Sequence, residues 1–291
     1  RSGEDVIRRY PGGDFSREPD LEVSTGAGSN PHALILCSEQ LWVSLYNRSE
    51  LVALDPASGE VLHTVDLHNF DEGADGSCEP SSMVAAGGSL YVALERFDLH
   101  NLRADPAGRI LQLRCEDGAV LNGWATGPSP QIQADPRNDG ALLVKEGDFY
   151  TVDGGVRSLV PATGEFGEVL LSEAELNADL GGVAASSDHL VASSWAFGGT
   201  PALSSLHCFN RETAEQTSGV TGLTQNLWHL DSAPSGEAWA TLSPSAAEPT
   251  AEHGIMIVDP TTCGAVGDDL LSFLLPPTHL VFMESEKSGR R

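Results

Sequence analysis

Three observations in the amino-acid sequence predict an all-β fold, a single six-bladed β-propeller with four-stranded antiparallel blades. Residues 41–67 (LWVSLYNRSELVALDPASGEVLHTVDL) form a meander of short alternating apolar runs broken by a tight turn. The third-strand, turn and fourth-strand part of that meander returns at residues 110–121, 156–170, 206–216 and 255–266. The copies drift around a period of roughly 40–60 residues, as propeller blades do.

Each element follows from local chemistry. Val, Leu, Trp and Thr at period two put one face of each run of the meander into a core, while Asp55-Pro56-Ala57-Ser58-Gly59 forces a reversal between them. One meander cannot bury both of its faces, so it needs copies of itself. Residues 6–23 carry the third-to-fourth-strand pattern with no strands before it, and residues 278–283 supply a first strand with none after it. Together these segments are expected to close one blade, removing a free sheet edge at each terminus. Aligning first strands on Ile35, Val84, Leu143, Val183, Leu230 and Val281 gives the blades 30–68, 79–126, 139–172, 179–220 and 226–272. The closing blade takes residues 1–26 as its outer strands and 277–284 as its inner one. Trp42 and Trp239 align in second strands and are expected in the core.

Composition bounds the function. The chain of 291 residues carries 42 acidic against 16 basic side chains, a net charge of −26. Nothing in it could displace counterions from a nucleic acid, so nucleic-acid binding is excluded as a partner class. No apolar run approaches the ~20 residues that span a bilayer. The chain begins abruptly at Arg1, as expected of a mature extracytoplasmic protein (periplasmic, cell-surface or secreted) whose export signal or lipid anchor lay upstream. Such an acidic protein suits cation-rich water, although simple solubility explains the charge equally well.

The five cysteines are an odd number. First and third strands of a blade run the same way, which places Cys37, Cys115, Cys208 and Cys263 toward one end and Cys78 toward the other. Cys208 and Cys263 fall on adjacent blades and are the pair expected to be joined; the alternative is buried small hydrophobes with no bond.

The unit of apolar strand, Asp-Pro-x-Ser/Thr-Gly and apolar strand in LVALDPASGEVLHTV, SLVPATGEFGEVL and IMIVDPTTCGAV resembles the YVTN/NHL/quinoprotein-type propellers of secreted bacterial proteins. The resemblance covers almost the whole chain and implies a fold rather than a chemistry. It implies a binding or scaffold protein, or, by way of six-bladed relatives of the gluconolactonase type, a metal-dependent hydrolase or lyase. The Glu-Gly-Pro motif of that type is absent, and Cys78-Glu79-Pro80 echoes it only in part.

In a blade, the loops leading into the first strand share one end with those joining the second strand to the third. The long loops fall there, at 68–79, 96–108, 127–138, 196–201 and 244–254, which marks the binding end. Just ahead of the aligned first strands stand Asn30, Glu79, Asp139, Asp179 and Asn226, a potential ring of oxygen ligands for Ca²⁺ or another hard cation. The same residue types also make good turns, and that reading stays open. His32, Arg96, Trp195, His229 and His279 lie on the same predicted end and are the candidate ligand-binding residues. A second acidic stretch, 71–76, lacks the spacing of an EF-hand loop. Gly-x-Ser-x-Gly, P-loop and dinucleotide glycine patterns are absent, and no catalytic residue is assigned. The expected function is therefore an extracytoplasmic binding or scaffold protein that presents its long-loop face to a protein, glycan or small ligand. The alternative is a lactonase-like enzyme with a divalent cation at the channel mouth.

Overall fold

A computed structural model describes residues 5–13, 17–71, 76–98, 103–104, 107–148, 151–195, 204–245, 248–267 and 270–272. The chain divides into two compact units, Arg1–Leu180 and Gly181–Arg291, with the boundary inside one strand.

The first unit opens with a hairpin of β1 (Val6–Arg9) and β2 (Leu21–Ser24), paired from Val6↔Ser24 to Arg9↔Leu21. The first four-stranded sheet follows as β3 (Pro31–Cys37), β4 (Gln40–Leu45), β5 (Glu50–Leu54) and β6 (Val61–Asp66), hydrogen-bonded in chain order. The second comprises β7 (Pro80–Ala86), β8 (Ser89–Leu94), β11 (Arg109–Arg114) and β12 (Val120–Ala125). A two-residue ladder, β9 (Phe97–Asp98) with β10 (Arg103–Ala104), interrupts it between the second and third strands. The third sheet is β13 (Gln131–Ala134), β14 (Leu142–Glu146), β15 (Gly155–Val160) and β16 (Glu165–Ser172), followed by the single helical turn α1 (Glu173–Leu176).

In the second unit one sheet orders β17 (Asp179–Ala185), β18 (His189–Trp195), β19 (Ser204–Asn210) and β20 (Gln216–Leu223). The other orders β21 (Asn226–Ser232), β22 (Ala238–Ser243), β23 (Gly254–Val258) and β24 (Leu271–Ser272). The described residues thus hold five four-stranded antiparallel sheets. The expected inner strand of a sixth, 278–283, lies outside them.

The recurrent sequence motif is one repeated turn. The fifth-residue amide of Asp55–Gly59, of the matching turn at 114–118 and of those at 160–164 and 259–263 donates to the carbonyl of the first residue at 2.8–2.9 Å. The fifth residue is left-handed in each, at Gly59 (φ 75), Gly118 (φ 72), Gly164 (φ 73) and Cys263 (φ 59), and at Ala214 (φ 58) in the turn at 210–214. That conformation is free of steric cost for glycine alone. At Gly59 the contact is also close, since a Cβ there would come within 2.4 Å of Val23 Cγ2. Asp55 fixes its turn by accepting from the amides of Ala57 (2.9 Å) and Ser58 (2.7 Å), and Asp259 does the same for Thr261 (2.8 Å).

Alternation builds the core. Trp42, Leu51, Leu67, Leu90, Leu94, Leu111 and Leu113 are all buried in one cluster of the first unit. A second cluster gathers Tyr91, Ile110, Trp124, Ile132, Leu142, Val144 and Leu159. Ile7 and Val23 of the hairpin pack on Val43, Leu45 and Leu54, so the hairpin covers an apolar patch of the first sheet. The second unit has its own core around Val191, Leu206, Leu227, Leu230, Leu242 and Val258. Trp42 is fully buried and its indole donates to the Cys115 carbonyl at 3.1 Å, whereas Trp239 is half-buried.

One strand assignment is corrected. Leu143 belongs to a second strand: β14 pairs with β13 on one side and β15 on the other, so the third sheet starts at Gln131 rather than at 139. The span 127–138 expected as a long loop contains β13. Four residues with Ile132 as the main apolar anchor carry too little alternation to read as a strand. What holds it is tertiary, the ladder to β14 and an Ile132 amide donating to Ser82 Oγ at 2.8 Å.

Two disulfides tie sheets together inside the units. Cys37 at the end of β3 is joined to Cys115 just after β11, and Cys208 in β19 to Cys263 in the turn after β23. Cys78 is a buried free thiol, and burial, then the neighbouring charge of Glu79, push its pKa up to about 12, against a lowering hydrogen bond from Ser49. It is chemically inert at neutral pH.

Candidate functional site

Polar groups that would normally face water are buried at one end of the first unit's sheets, the end where first strands begin and second strands finish. Glu79, Glu95, Arg96, Ser129, Lys145, Glu173 and Asp179 are each at most 7% exposed. Burying so many ionisable groups is costly unless they are organised, which distinguishes this end from the tight turns opposite.

The backbone organises them in two ways. Immediately ahead of β3 and β7, Asn30 (φ 50) and Glu79 (φ 43) are left-handed; Ser129 (φ 41) and Asn177 (φ 51) are left-handed two residues ahead of β13 and β17. This kink is uncommon outside glycine, and it swings the chain into each first strand. The residue closing each second strand then meets it. Tyr46 donates its amide to the Asn30 carbonyl (3.1 Å) and Glu95 donates its own to the Glu79 carbonyl (3.1 Å). Glu146 occupies the matching position in the third sheet, because Gln131↔Lys145 corresponds to Pro31↔Leu45 and Pro80↔Leu94.

Two constellations result. In the first two sheets, His32 stacks on Tyr46 with ring centroids 4.8 Å apart, and Tyr46 Oη donates to Glu95 Oε2 at 2.9 Å. Beside them Arg96 (φ 54) donates its amide to the Cys78 carbonyl (3.3 Å) and Nη1 to the Ala107 carbonyl (2.5 Å), bracing the loop that carries β9 and β10. A stacked imidazole, a phenol and a carboxylate in one chain of contacts can pass a hydrogen bond to a bound polar group.

In the third sheet, Glu146 Oε1 pairs with Arg157 Nε at 2.6 Å and Glu146 Oε2 accepts from the Gly127 amide at 2.6 Å. The Arg157 guanidinium also lies over the Phe166 ring, 4.0 Å from its centroid. Behind it, Glu173 has no solvent exposure; Oε2 accepts from the Gly154 amide (2.7 Å) and Oε1 from the Leu180 amide (2.9 Å). Burial pushes the Glu173 carboxyl up to about 7, and the nearby Asp179 charge adds to this, while the two backbone amides and Lys145 pull it down. A cavity of about 120 Å³ opens between the loop at Gly127–Pro128 and the glycines 147, 154 and 155.

The sequence candidates divide accordingly. His32 and Arg96 fall in the first constellation, with Asn30 and Glu79 backbone-bonded to it. Asp179 lies in the second. Asp139 does not join them: it stands in the turn between β13 and β14, at the opposite end of its sheet, because the strand it was aligned to is the second rather than the first. The expected ring of Glu79, Asp139 and Asp179 is therefore not assembled, and among the described residues no three His, Cys, Asp or Glu side chains converge on a metal position. In the second unit Asn226 donates Nδ2 to the Pro244 carbonyl (3.2 Å), His229 sits within β21 and Trp195 closes β18. His279 and residues 72–75 of the acidic loop lie outside the described residues. Sequence reasoning missed Tyr46, Glu95, Glu146 and Glu173. Tyr46 and Glu95 had a signal, one polar or aromatic residue directly after the last apolar residue of the second strand; Glu146, two residues beyond Val144, did not.

No protein-family profile and no curated protein sequence matches the chain. Solved structures do. Hydrazine synthase from Kuenenia stuttgartiensis superposes with a TM-score of 0.59 at 13% identity, over 81% of this chain and 64% of that one, so the chain spans less than two thirds of it. A chain of the nidogen/laminin complex gives 0.57 at 14% identity over 88% and 83%, and the Dos1 propeller 0.52 at 11% over 86% and 73%. At such identities the likeness carries the fold and no activity. The chain is a β-propeller of four-stranded antiparallel blades.

Proposed function

We propose that this propeller is an extracytoplasmic binding protein without catalysis of its own, and that the end bearing Tyr46, Glu95, Arg96 and Glu146 is its binding face for a protein, glycan or small ligand. The observation that carries the reading is the concentration at that end of buried ionisable groups, held by the backbone and by Tyr46, together with long loops, opposite a set of uniform tight turns. Such preorganised polar groups are what a binding site needs to fix orientation. Two disulfides support an oxidising compartment. In this reading the propeller has six blades, with β1 and β2 completing the blade whose inner strand is 278–283. The metal-dependent hydrolase alternative needs the acidic ring that Asp139 fails to join.

The test compares two classes of variant in ligand capture from the compartment where the protein resides. Tyr46→Phe and Arg96→Gln should remove the bound partner, while Ser58→Ala and Thr163→Ala, on the turn end, should leave it. Capture that ignores the first pair and follows the second overturns the assignment of the face. Turnover in a lactonase and esterase panel overturns the absence of catalysis.

A further inference from the structure

We propose that the cavity beside the outer strand of the third sheet, walled in part by Glu146, Asp153, Arg157 and Val169, takes a carboxamide, the peptide group of an extended segment of a partner protein. The proposal deepens the binding reading and rests on it for the end of the molecule used, since Glu146 belongs to that face.

Arg157 supplies the donors. The fold satisfies its charge and its flat face but leaves its hydrogens unused. Glu146 Oε1 lies 2.6 Å from Nε, yet that buried N–H makes no hydrogen bond, so the pairing is by charge alone. Phe166 covers one face of the guanidinium, with its ring centroid 4.0 Å from Cζ. Among the described residues no acceptor meets the two Nη groups, and the side chain is 27% exposed in the cavity wall. Stack and ion pair together fix the orientation of the guanidinium, which makes it a preorganised fork for a carbonyl oxygen. Acceptors stand in the same wall. Glu146 Oε2 takes the Gly127 amide (2.6 Å) and Asp153 Oδ1 the Asp148 amide (3.1 Å), which leaves lone pairs on both carboxylates.

Charge and position select the ligand. One positive and two negative side chains line this cavity of about 120 Å³, in a chain of net charge −26. A ligand carboxylate would add a third negative charge there, and an ammonium would meet the guanidinium. A carboxamide brings no net charge, gives its carbonyl oxygen to the Arg157 fork and its N–H to a carboxylate. At about 30 Å³ per water, the space suits one amide group rather than a whole drug-sized ligand. Position then favours an amide within a chain over a free hydroxyl compound. β16 has a ladder partner in β15 alone, so its other edge offers backbone donors and acceptors to an added strand. Val169, the cross-strand neighbour of Arg157, is 61% exposed in β16 and also forms part of the cavity wall. Edge and cavity therefore meet at Val169, and one extended segment can use both.

The experiment titrates the full chain with acetamide, with acetate as its isosteric anion and with glycerol, while following the Arg157 Nε–Hε resonance, identified by its loss in Arg157→Lys. A saturable shift is expected with acetamide and none with acetate or glycerol. Val169→Trp, at an exposed position, fills the cavity without touching the ion pair and should weaken acetamide binding by about tenfold or more. Asp153→Asn, isosteric and on the exposed rim, should weaken it as well and decides the matter if the bulky Trp disturbs β16. Thr163→Ala, on the turn end, should bind as the wild type does. Equal or tighter binding of acetate or glycerol, no saturable response to acetamide, or binding indifferent to both Val169→Trp and Asp153→Asn overturns the proposal. Partner capture that is lost in Tyr46→Phe but ignores Val169→Trp keeps the wider binding reading and sinks this site. Capture lost in Val169→Trp but indifferent to Tyr46→Phe and Arg96→Gln does the reverse.

Discussion

A single carboxyl, Glu173, links the binding end to pH. Its pKa in the fold is about 7 against an ordinary 4.5, raised first by burial. The folded state therefore binds a proton there that the unfolded chain releases sooner. The stability this contributes is complete below 4.5 and is lost as pH rises from 4.5 through about 7. Glu173→Gln should flatten the melting-temperature profile across that window, by an amount on the order of 1–2 kcal/mol after allowance for solvent screening. An unchanged slope in the variant would show that another group titrates. Asp55 and Asp259 have the opposite sign, because amide donors hold their carboxyls below the usual 3.8. Their contribution is present above 3.8 and disappears as pH falls through their lowered values, so acid loosens the turns while neutral pH acts on Glu173.

Among the elements, the turn between third and fourth strands explains why the repeat was visible at all. Its residue types are fixed by backbone geometry: an Asp or Asn that caps its own amides in three of the five, and a left-handed fifth position. Cys263 holds that left-handed position without being glycine, and its disulfide to Cys208 anchors it from the neighbouring sheet. The bridge closes a loop of 55 residues and that of Cys37 with Cys115 one of 78. On the chain-entropy model each is worth about 4 kcal/mol. Replacing Cys208 and Cys263 by Ser should lower unfolding free energy by roughly that amount, measured by denaturant titration of both forms. Alkylation of unreduced, denatured protein should modify Cys78 and no other cysteine; five labelled thiols would contradict both bridges.

At the scale of the whole molecule, the proposed closure joins the first and last segments. The β1–β2 hairpin is already engaged with the first sheet: Arg9 Nη1 donates to the Pro56 carbonyl at 2.8 Å, and Asp5 accepts from the amides of Gly28 (2.5 Å) and Asn30 (2.8 Å). Ile7 and Val23 seal the apolar patch over Val43, Leu45 and Leu54. Removing residues 1–25 should expose that patch and leave the lead-in to β3 uncapped. The deletion is expected to broaden thermal unfolding and lower its midpoint, read by calorimetry. A truncated chain that melts as sharply and as hot as the full one would rule out a closing role for the hairpin.

By itself the sequence determined the class of fold, the repeat and most strands, because period-two alternation and Asp-Pro…Gly turns are local chemistry, written within a few residues of one another. Local chemistry also placed His32 and Arg96 at the end where first strands begin and second strands finish. The tertiary structure alone decided three things. It recruited Gln131–Ala134 as a strand through ladder bonds that its own residues do not announce, and so moved Asp139 to the far end. It buried Glu173, which reads in sequence as one more acid in LLSEAELNADL, by surrounding it with the Gly154 and Leu180 amides from 19 and 7 residues away. And it buried Lys145, a position that β-alternation marks only as one face of β14. Burial and long-range pairing depend on which surfaces meet, and no window of neighbouring residues contains that information.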